Sequence, residues 1–259
     1  MNESSIAIEK SIAARHMPTP ERYVTTDVSV GKVNEILPFT VRPVQTEDDL
    51  MRAVSLRHQA YARHKPEFAE KLREPEADDL ESDSIVLLAE SKLDGSAIGT
   101  MRIQTNEYRP LSMEYAVTLP DFLKSSSLVE VRRLGVANGQ AGRLVKMVLI
   151  KACLLYCAER NIKWAVVAAR APLDRSYQNL LFEDVMPGQT FTPLPIANND
   201  PHNVMAFEID TIEARFTKHQ HPLLNFFCKT NHPDIHLDLA SETETIMPNR
   251  ENKPQFAIN

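Results

Sequence analysis

The sequence is poor in several residue types, and each shortage excludes a class of protein. Its 259 residues include three cysteines, one tryptophan and seven glycines. An odd number of cysteines argues against a disulfide framework and favours a reducing, cytoplasmic environment. No apolar stretch approaches the roughly 20 residues that a membrane-spanning helix requires. The polar start Met1–Ser5 precedes no apolar segment, so we also expect no secretory signal.

An excess of basic residues is also lacking. The chain carries 29 Lys and Arg against 35 Asp and Glu, a formal net charge of −6, which argues against general nucleic-acid binding. The charges are unevenly distributed, because acids dominate residues 65–90 and bases dominate residues 130–180. The acidic block would suit a substrate that carries an ammonium group, and the basic block would suit phosphates or an acidic partner.

Common catalytic and metal-binding patterns are missing as well. The histidines are scattered without metal-ligand spacing, and Cys153 and Cys157 have no second pair to complete a zinc site. We therefore expect no metal site and interpret both cysteines as small buried residues. The sequence contains no Ser-His-Asp or Cys-His pattern that would indicate covalent nucleophilic catalysis.

Glycines, although few, are concentrated in one stretch. Gly135, Gly139 and Gly142 fall within eight residues, between a strand that begins at Leu128 and a helical pattern that reaches Leu155. Glycines at such a junction allow a sharp turn and expose backbone N–H groups, and a helix N-terminus adds positive potential. The stretch therefore predicts a cradle for phosphate groups. No Gly-Lys-Ser/Thr follows and no Gly-x-Gly-x-x-Gly spacing occurs, which argues against a nucleotide P-loop and a dinucleotide site.

Hydrophobic periodicity predicts one mixed α/β domain with helices on both faces of its sheet. A strand begins at Phe39, a helix is capped at Thr46, and Asp94-Gly95 marks a hairpin. In the strand that begins at Leu128, alternation assigns Val129, Val131 and Arg133 to one face and Leu128, Glu130, Arg132 and Leu134 to the other. Further predicted elements are an irregular connection over 106–127, strands over 163–168 and 203–209 (the latter extending toward Phe216), and helices over 172–182 and 221–228. We divide the chain into an irregular arm (1–38), the domain (39–230) and a polar tail (231–259).

Four short motifs then point to a particular enzyme family. They are Arg57-His-Gln-Ala-Tyr61, Glu74-Pro-Glu-Ala-Asp-Asp79, Gly99-Thr-Met-Arg102-Ile and Glu130-Val-Arg-Arg133. In this order they resemble the motifs of acyl-homoserine-lactone synthases, a branch of the GNAT acyltransferase superfamily. Glu76 stands where that branch has aspartate, Arg132 where it has serine, and no tryptophan follows the first motif. With these departures, and with its His221-Pro-Leu-Leu segment, the chain more closely resembles the sister group of N-acyl amino acid synthases.

The resemblance spans roughly residues 39–230 and implies a GNAT-like fold, a mixed, mainly antiparallel twisted sheet with helices on both faces. It also implies an activity, the transfer of a long-chain fatty acyl group from acyl carrier protein to the α-amine of an amino acid. The donor would be an acyl-phosphopantetheine, carried by acyl carrier protein or coenzyme A, and no cofactor would be tightly bound. The substrate-binding network would comprise Arg57, Tyr61, Glu76, Asp79 and Arg102.

For this reaction an amine must lose a proton, and the oxyanion formed at the thioester must be held. Glu130 is the candidate general base, because burial raises the pKa of a carboxyl group. Arg133 would restrain that rise or bind the carboxylate of the substrate. A competing interpretation makes Glu130 a structural partner of Arg102 on the neighbouring strand. Candidates for the oxyanion donors and the phosphate-binding loop are Leu134, Val136, Asn138, Gly139, Gln140, Ala141, Gly142 and Arg143.

Other residues can be assigned only to groups of candidates. Those for steering an acidic carrier protein are Lys146, Lys151, Arg160 and Lys163. Those for an acyl tunnel, which fit a plain core equally well, are Met147, Leu149, Trp164, Val166 and Phe182.

Three alternative functions stay open. The first is an acyl-homoserine-lactone synthase, which would use S-adenosylmethionine. The second is a coenzyme A-dependent N-acetyltransferase, which is disfavoured by Val136 at the position where the GNAT phosphate loop has Gln or Arg. The third is a non-catalytic module that binds acyl carrier protein, because a fold alone does not prove activity.

Overall fold

The computed structural model describes residues 32–139, 141–186, 192–194 and 199–237. The rest of the predicted arm and tail, and Gln140 of the predicted phosphate loop, lie outside the described residues. The strands are β1 (Val33–Asn34), β2 (Phe39–Pro43), β3 (Ser84–Ser91), β4 (Ala97–Thr105), β5 (Leu128–Val136), β6 (Trp164–Ala169), β7 (Glu183–Asp184), β8 (Thr192–Leu194), β9 (Asp200–Glu208) and β10 (Thr230–Asn231). The α-helices are α1 (Glu47–Ala62), α2 (Pro66–Ala69), α3 (Asp121–Lys124), α4 (Gly142–Glu159), α5 (Leu173–Gln178) and α6 (Ile212–Lys218).

The main sheet confirms the predicted fold class. Its strand order is β2-β3-β4-β5-β6-β9-β7, with β8 paired to β9, which makes eight strands. Among the described strands of this sheet, only β5 and β6 pair in parallel. A parallel pair needs a crossover connection, and here α4 supplies it. In the described residues, no helix is long and apolar enough to cross a membrane.

Local signals in the sequence account for the first elements. Thr46 caps α1, its hydroxyl oxygen accepting a hydrogen bond from the Asp49 N–H at 3.1 Å. Gly95 adopts a positive φ of 68° in the β3–β4 turn, a conformation that glycine tolerates without strain. Both features were predicted from the sequence and both are confirmed.

The two faces of the sheet carry separate cores. One face packs Leu87, Met101, Ile103, Val129 and Val167 against α4. On the opposite face, the N-terminal half of α1 packs against Val86 and Leu88. The segment 106–127 covers the far half of that second face with a third apolar cluster, which includes Leu111, Met113, Leu123 and Val166. Between α1 and this segment, the sheet presents polar side chains.

A β-bulge in β5 departs from the predicted alternation. Arg133 has φ 53°, and the β4–β5 register shifts between Thr100 and Arg102. An extra residue in one strand reverses the facing of the residues that follow. Leu134 consequently packs against the α4-side core, and Arg133 joins Arg132 at the acidic loop. The predicted faces of Arg133 and Leu134 were therefore wrong.

Glycine permits close helix packing at one strand position. A Cβ atom at Gly99 would lie 2.3 Å from Val145 Cγ1 of α4. Gly135, predicted to lie in the loop, belongs instead to β5, where a Cβ would meet that of Ala60 of α1 at 3.1 Å.

The end of the domain differs from prediction in two elements. The helix predicted over 221–228 is a π-helical segment at Asn225–Lys229. Residues beyond Glu208 form a 3₁₀ turn and then α6, so the proposed extension of that strand toward Phe216 was wrong. The following β10 pairs with β1. Lys151 of α4 fixes this region by donating to the carbonyl oxygens of Phe226 and Thr230 at 2.5 and 2.6 Å, and its Nζ lies 2.9 Å from His232 Nδ1. A buried lysine held in this way cannot meet a carrier protein, so that assignment of Lys151 was wrong.

Candidate active site

A cleft lies over β5, at the point where β5 and β6 part. Their pairing ends at Val131 and Val167, although β5 continues to Val136 and β6 to Ala169. Strands that separate in this way leave backbone groups without a partner from the neighbouring strand. The cleft has a volume of about 90 Å³.

Three regions of the chain supply the cleft walls. The floor is β5 from Glu130 to Arg133, and one wall comes from the end of α1 and the start of α2. The opposite wall comes from the ends of β6, β8 and β9. Of the residues predicted for the site, those that line the cleft are Tyr61, Glu130 and Arg133.

Glu130 is almost completely buried, with 1% of its surface exposed. Its Oε2 accepts a hydrogen bond from the Met113 N–H at 3.1 Å, and its Oε1 lies 3.5 Å from Arg132 Nε. Burial raises the pKa of the Glu130 carboxyl above its usual range, and the positive charge of Arg132 opposes that rise. A buried carboxylate with a raised pKa is a stronger proton acceptor than an exposed one, which suits Glu130 to act as a general base.

The competing structural role of Glu130 does not match the observed register. Glu130 lies opposite Gln104, and Arg102 lies opposite Arg132. The acidic partners of Arg102 are instead Glu76, Asp78 and Asp79. The proposed pair of Glu130 and Arg102 was therefore wrong.

Arg133 is held by an acid of the loop that precedes β3. Its Nε and Nη2 donate to the two carboxylate oxygens of Glu76 at 2.7 and 2.6 Å. The guanidinium carbon also lies 5.2 Å from the ring centroid of Phe68, a cation–π contact. Because Glu76 already accepts from Nε and Nη2 of Arg133, this guanidinium is not free to bind a second carboxylate in the same two-pronged way. Its positive charge still opposes the rise in the pKa of Glu130.

Behind the cleft, the other predicted residues form a buried ionic network. Arg57 binds Asp79 in a two-pronged pair at 2.9 and 2.6 Å, and Arg102 donates to the same carboxylate at 3.0 Å. Burial alone would raise the pKa of Asp79, but the Arg57 hydrogen bonds and the charges of Arg57 and Arg102 hold it below its usual range. The pKa of Glu76 is likewise lowered despite its burial, by the hydrogen bonds and charge of Arg133 and by the charges of Arg102 and Arg57. The structure thus brings Arg57, Glu76, Asp79 and Arg102 together, outside the cleft lining.

Sequence reasoning missed further members of this network. Asp78 accepts hydrogen bonds from Arg132 at 2.9 Å, Arg102 at 3.3 Å and Arg109 at 3.4 Å. It therefore offsets the like charges of Arg102 and Arg132, which face each other across β4 and β5. Its place in the acidic loop was visible in the sequence, but its three arginine partners come from other parts of the chain.

A histidine in the cleft was also missed. His202 Nδ1 lies 2.7 Å from the Asp200 carbonyl oxygen. A carbonyl only accepts, so Nδ1 carries the hydrogen and Nε2 is the lone-pair nitrogen of a neutral ring. Burial lowers the pKa of His202, aided by the charges of Arg170 and Lys65. Lys65, at the start of α2 on the opposite wall, pairs with the Asp200 carboxylate at 2.8 Å.

The predicted donor loop joins β5 to α4. Leu134 and Val136 lie on the part of β5 that extends beyond its pairing with β6. Gly139 has φ 138°, and α4 begins at Gly142 with no acid in its first turn. Asn138, Ala141 and Arg143 flank this helix start. A long helix with an N-terminus of this kind favours bound anions.

The remaining candidates fall into two groups. Three basic residues predicted to steer a carrier protein are at least partly exposed: Lys146, Arg160 and Lys163. The Nζ of Lys146 lies 3.5 Å from the Ser176 hydroxyl. The residues considered for an acyl tunnel all belong to, or pack against, the two large apolar clusters. In the described residues, no group of three or more His, Cys, Asp or Glu side chains could hold a metal ion.

Solved structures of acyltransferases share this fold. FeeM, an N-acyl amino acid synthase from uncultured soil microbes, superimposes with a TM-score of 0.57 at 17% identity, over 73% of this chain and 97% of that one. BjaI, a coenzyme A-dependent acyl-homoserine lactone synthase solved with SAM and isopentyl-CoA, gives a TM-score of 0.52 at 16% identity, over 77% and 93%. Comparison with curated protein sequences gives no match.

The chain therefore has the GNAT-like fold of these acyltransferases. A family model described as N-acyl amino acid synthase FeeM matches residues 52–197, more than half of the chain. The chain belongs to this family. The match spans all four sequence motifs and the end of α1 that lines the cleft, and it stops shortly before β9.

Proposed function

We propose that this enzyme transfers a long-chain fatty acyl group from acyl carrier protein to the α-amine of an amino acid. The observation that carries the proposal is the placement of Glu130. Its buried carboxyl, with a raised pKa, lines a cleft where β5 and β6 part and where the end of β5 no longer pairs with β6. A proton acceptor beside hydrogen-bond donors is what aminolysis of a thioester requires.

The reaction proceeds by direct attack. Glu130, or a water molecule that it orders, accepts a proton from the amine as the nitrogen attacks the thioester carbon. The backbone N–H groups of Leu134 and Val136 are the proposed donors to the oxyanion. Collapse of the tetrahedral intermediate breaks the C–S bond and releases the phosphopantetheine thiolate, which takes up a proton. A thiolate leaves readily, so no covalent enzyme intermediate is needed.

The cleft surroundings support an acyl carrier protein as the donor. The loop from Asn138 to Arg143 opens a long helix without an acid in its first turn, which favours the phosphate of phosphopantetheine. Arg160 and Lys163 are exposed basic residues near the end of α4 that would steer an acidic carrier. Coenzyme A carries the same phosphopantetheine arm and is the second candidate donor.

The buried network has a positioning role in this proposal. Arg57, Asp79 and Arg102 do not line the cleft. Arg57 donates to Asp79, Arg102 donates to Glu76, and these bonds hold the acidic loop in place. That loop in turn holds Arg132 and Arg133 beside Glu130. The network thus sets the charge around the proton acceptor. Tyr61, which lines the cleft itself, is the member of the predicted set that would contact the acceptor.

Purified protein tests the proposal when it is supplied with palmitoyl acyl carrier protein or palmitoyl-coenzyme A and the standard amino acids, with and without S-adenosylmethionine. We expect fatty acyl amides of one or a few amino acids, with the carrier protein as the better donor. Glu130→Gln should slow amide formation by about 10²–10⁴-fold and leave donor binding unchanged. Homoserine lactone products would identify the other synthase class, and donor binding without any product would identify a non-catalytic module.

A further inference from the structure

One cation of the cleft has no partner among the described residues. Arg132 is paired with Asp78 at 2.9 Å, Arg133 with Glu76 at 2.6 Å and Lys65 with Asp200 at 2.8 Å. Arg170 also lines the cleft, and within the described residues no side chain or carbonyl oxygen accepts a hydrogen bond from its guanidinium.

The position of Arg170 is set by the sheet. It directly follows Ala169, the last residue of β6, and therefore lies where β6 has parted from β5. It is partly buried, and its positive charge acts on the neighbouring His202. A partly buried guanidinium is costly unless an anion pairs with it. The cleft is therefore prepared for a negatively charged ligand at this point.

We propose that Arg170 binds the α-carboxylate of the amino acid acceptor. The inference rests on the proposed function, and it adds the recognition of the acceptor as a free amino acid rather than a simple amine. In an α-amino acid, the carboxylate and the amine are attached to the same carbon. Arg170 at the end of β6 and Glu130 on the floor of β5 line one cleft, so a carboxylate on Arg170 directs the amine toward Glu130. A guanidinium can bind both carboxylate oxygens and so fix the orientation of the acceptor.

A phosphate of the donor is the other anion that could reach this guanidinium. The loop from Asn138 to Arg143 already offers a helix start for that phosphate. Arg170, by contrast, lies in the cleft with Glu130 and His202. The position therefore favours the acceptor, and the two sources differ in their kinetic consequences.

Kinetics with Arg170→Gln separate these sources. We expect the KM for the amino acid to rise about 10–100-fold, equivalent to roughly 1.4–2.8 kcal/mol, because a charge-assisted pair is lost. The KM for the donor should stay unchanged. With the amine formed by decarboxylation of that amino acid, wild-type enzyme and Arg170→Gln should react equally. Arg170→Lys should recover part of the loss. The matched control is Arg175→Gln, because Arg175 lies on the exposed side of α5 and outside the cleft.

Two kinetic results would overturn the inference. A rise in the KM for the donor alone would assign Arg170 to a phosphate, and an unchanged KM for both substrates would leave Arg170 without a ligand. In either case, amide formation by the wild-type enzyme would still support the proposed function.

Proton NMR of His202 gives a second test that does not depend on turnover. A carboxylate bound at Arg170 offsets its positive charge, so titration with the standard amino acids, each in turn, should raise the pKa of His202. Arg170→Gln should raise that pKa in the free protein and abolish the response to the amino acids. A response that persists in Arg170→Gln, or the absence of any response in the wild-type protein, would contradict carboxylate binding at Arg170.

Discussion

At the scale of single residues, Glu130 connects the fold to the proposed chemistry. Its carboxyl group is buried beside Arg132 rather than paired with Arg102. A structural ion pair requires a lowered carboxyl pKa, whereas a general base benefits from a raised one. A structural role needs the charged form to be favoured in the folded protein, whereas the observed burial disfavours it and raises the pKa.

Glu130→Gln is therefore expected to preserve or increase stability at neutral pH. Because the pKa of Glu130 is higher in the folded than in the unfolded chain, its contribution to stability is fully present below the usual carboxyl pKa and is lost as pH rises through the raised value. Glutamine does not ionise and can still accept from the Met113 N–H. Urea unfolding of both proteins from pH 4 to pH 8 should show a growing advantage for the variant. A variant less stable by more than about 1 kcal/mol at pH 7 would indicate a structural charge.

Asp79→Asn should have the opposite effect on stability. Asp79 is the shared anion of Arg57 and Arg102, which are 2% and 1% exposed. Removal of one partner from a buried ion pair costs roughly 3–5 kcal/mol, because the other charge stays buried. The lowered pKa of Asp79 adds a pH dependence: its stabilising contribution is present above the usual carboxyl pKa and is lost as pH falls through the depressed value.

Urea unfolding at pH 7 measures the effect of Asp79→Asn, and Glu70→Gln is its control. Glu70 also pairs with an arginine, Arg73, at 2.6 Å, but both side chains are mostly exposed. We expect no measurable loss for the control. Equal effects of the two substitutions would contradict a special role for the buried network.

The residues that sequence reasoning found and missed differ in a physical way. Glu76, Asp79, Arg102 and Glu130 occur in short motifs, where order along the chain carries information. Asp78 and His202 owe their importance to contacts between distant elements. The hydrogen bond of His202 to the Asp200 carbonyl, and its nearness to Arg170 across β6 and β9, depend on a register that single-strand patterns do not encode.

At the scale of elements, most of the fold was predictable because its signals are local. The cap at Thr46, the turn at Asp94-Gly95 and the alternation in β5 up to Arg132 each depend on a few neighbouring residues. The bulge was not predictable from neighbouring residues. The φ of 53° at Arg133 accompanies pairing with β4, hydrogen bonds to Glu76 of the acidic loop and contact with Phe68, which are all distant in the sequence. The end of β9 was also missed, since Ile209 and Phe216 are buried in a turn and helix as well as they would be in a strand.

Gly99→Ala tests how closely β4 and α4 must pack. The added Cβ would lie 2.3 Å from Val145 Cγ1, so strand and helix would have to separate. Overpacking of this kind costs typically about 1–3 kcal/mol, which thermal and urea unfolding would detect. Gly142→Ala is the matched control, because its nearest contact would be an ordinary 3.4 Å. Unchanged stability in Gly99→Ala would show that α4 adjusts freely, against the account of this glycine.

At the scale of the whole molecule, the two faces of the sheet have different roles: one forms the main apolar core and the other carries the candidate active site. One face buries a large apolar core under α4. The other places α1, the acidic loop and the segment 106–127 around one cleft, at the parting of the only parallel strand pair among the described strands of the main sheet. The order of motifs in the sequence follows this arrangement, because each motif contributes to the α1-side face. We therefore expect one chemical activity for this chain, located at that cleft.

Mass spectrometry of lipid extracts shows whether the protein makes fatty acyl amides and whether Glu130 is needed. Extracts would be compared from a bacterial host that expresses the wild-type protein, Glu130→Gln or no added protein. In the wild-type extract we expect a new series of fatty acyl amides that share one or a few amino acids, and with Glu130→Gln a strong reduction of that series. The same series at undiminished level in the variant would exclude Glu130 as the proton acceptor, and acyl-homoserine lactones in its place would exclude amino acid acylation.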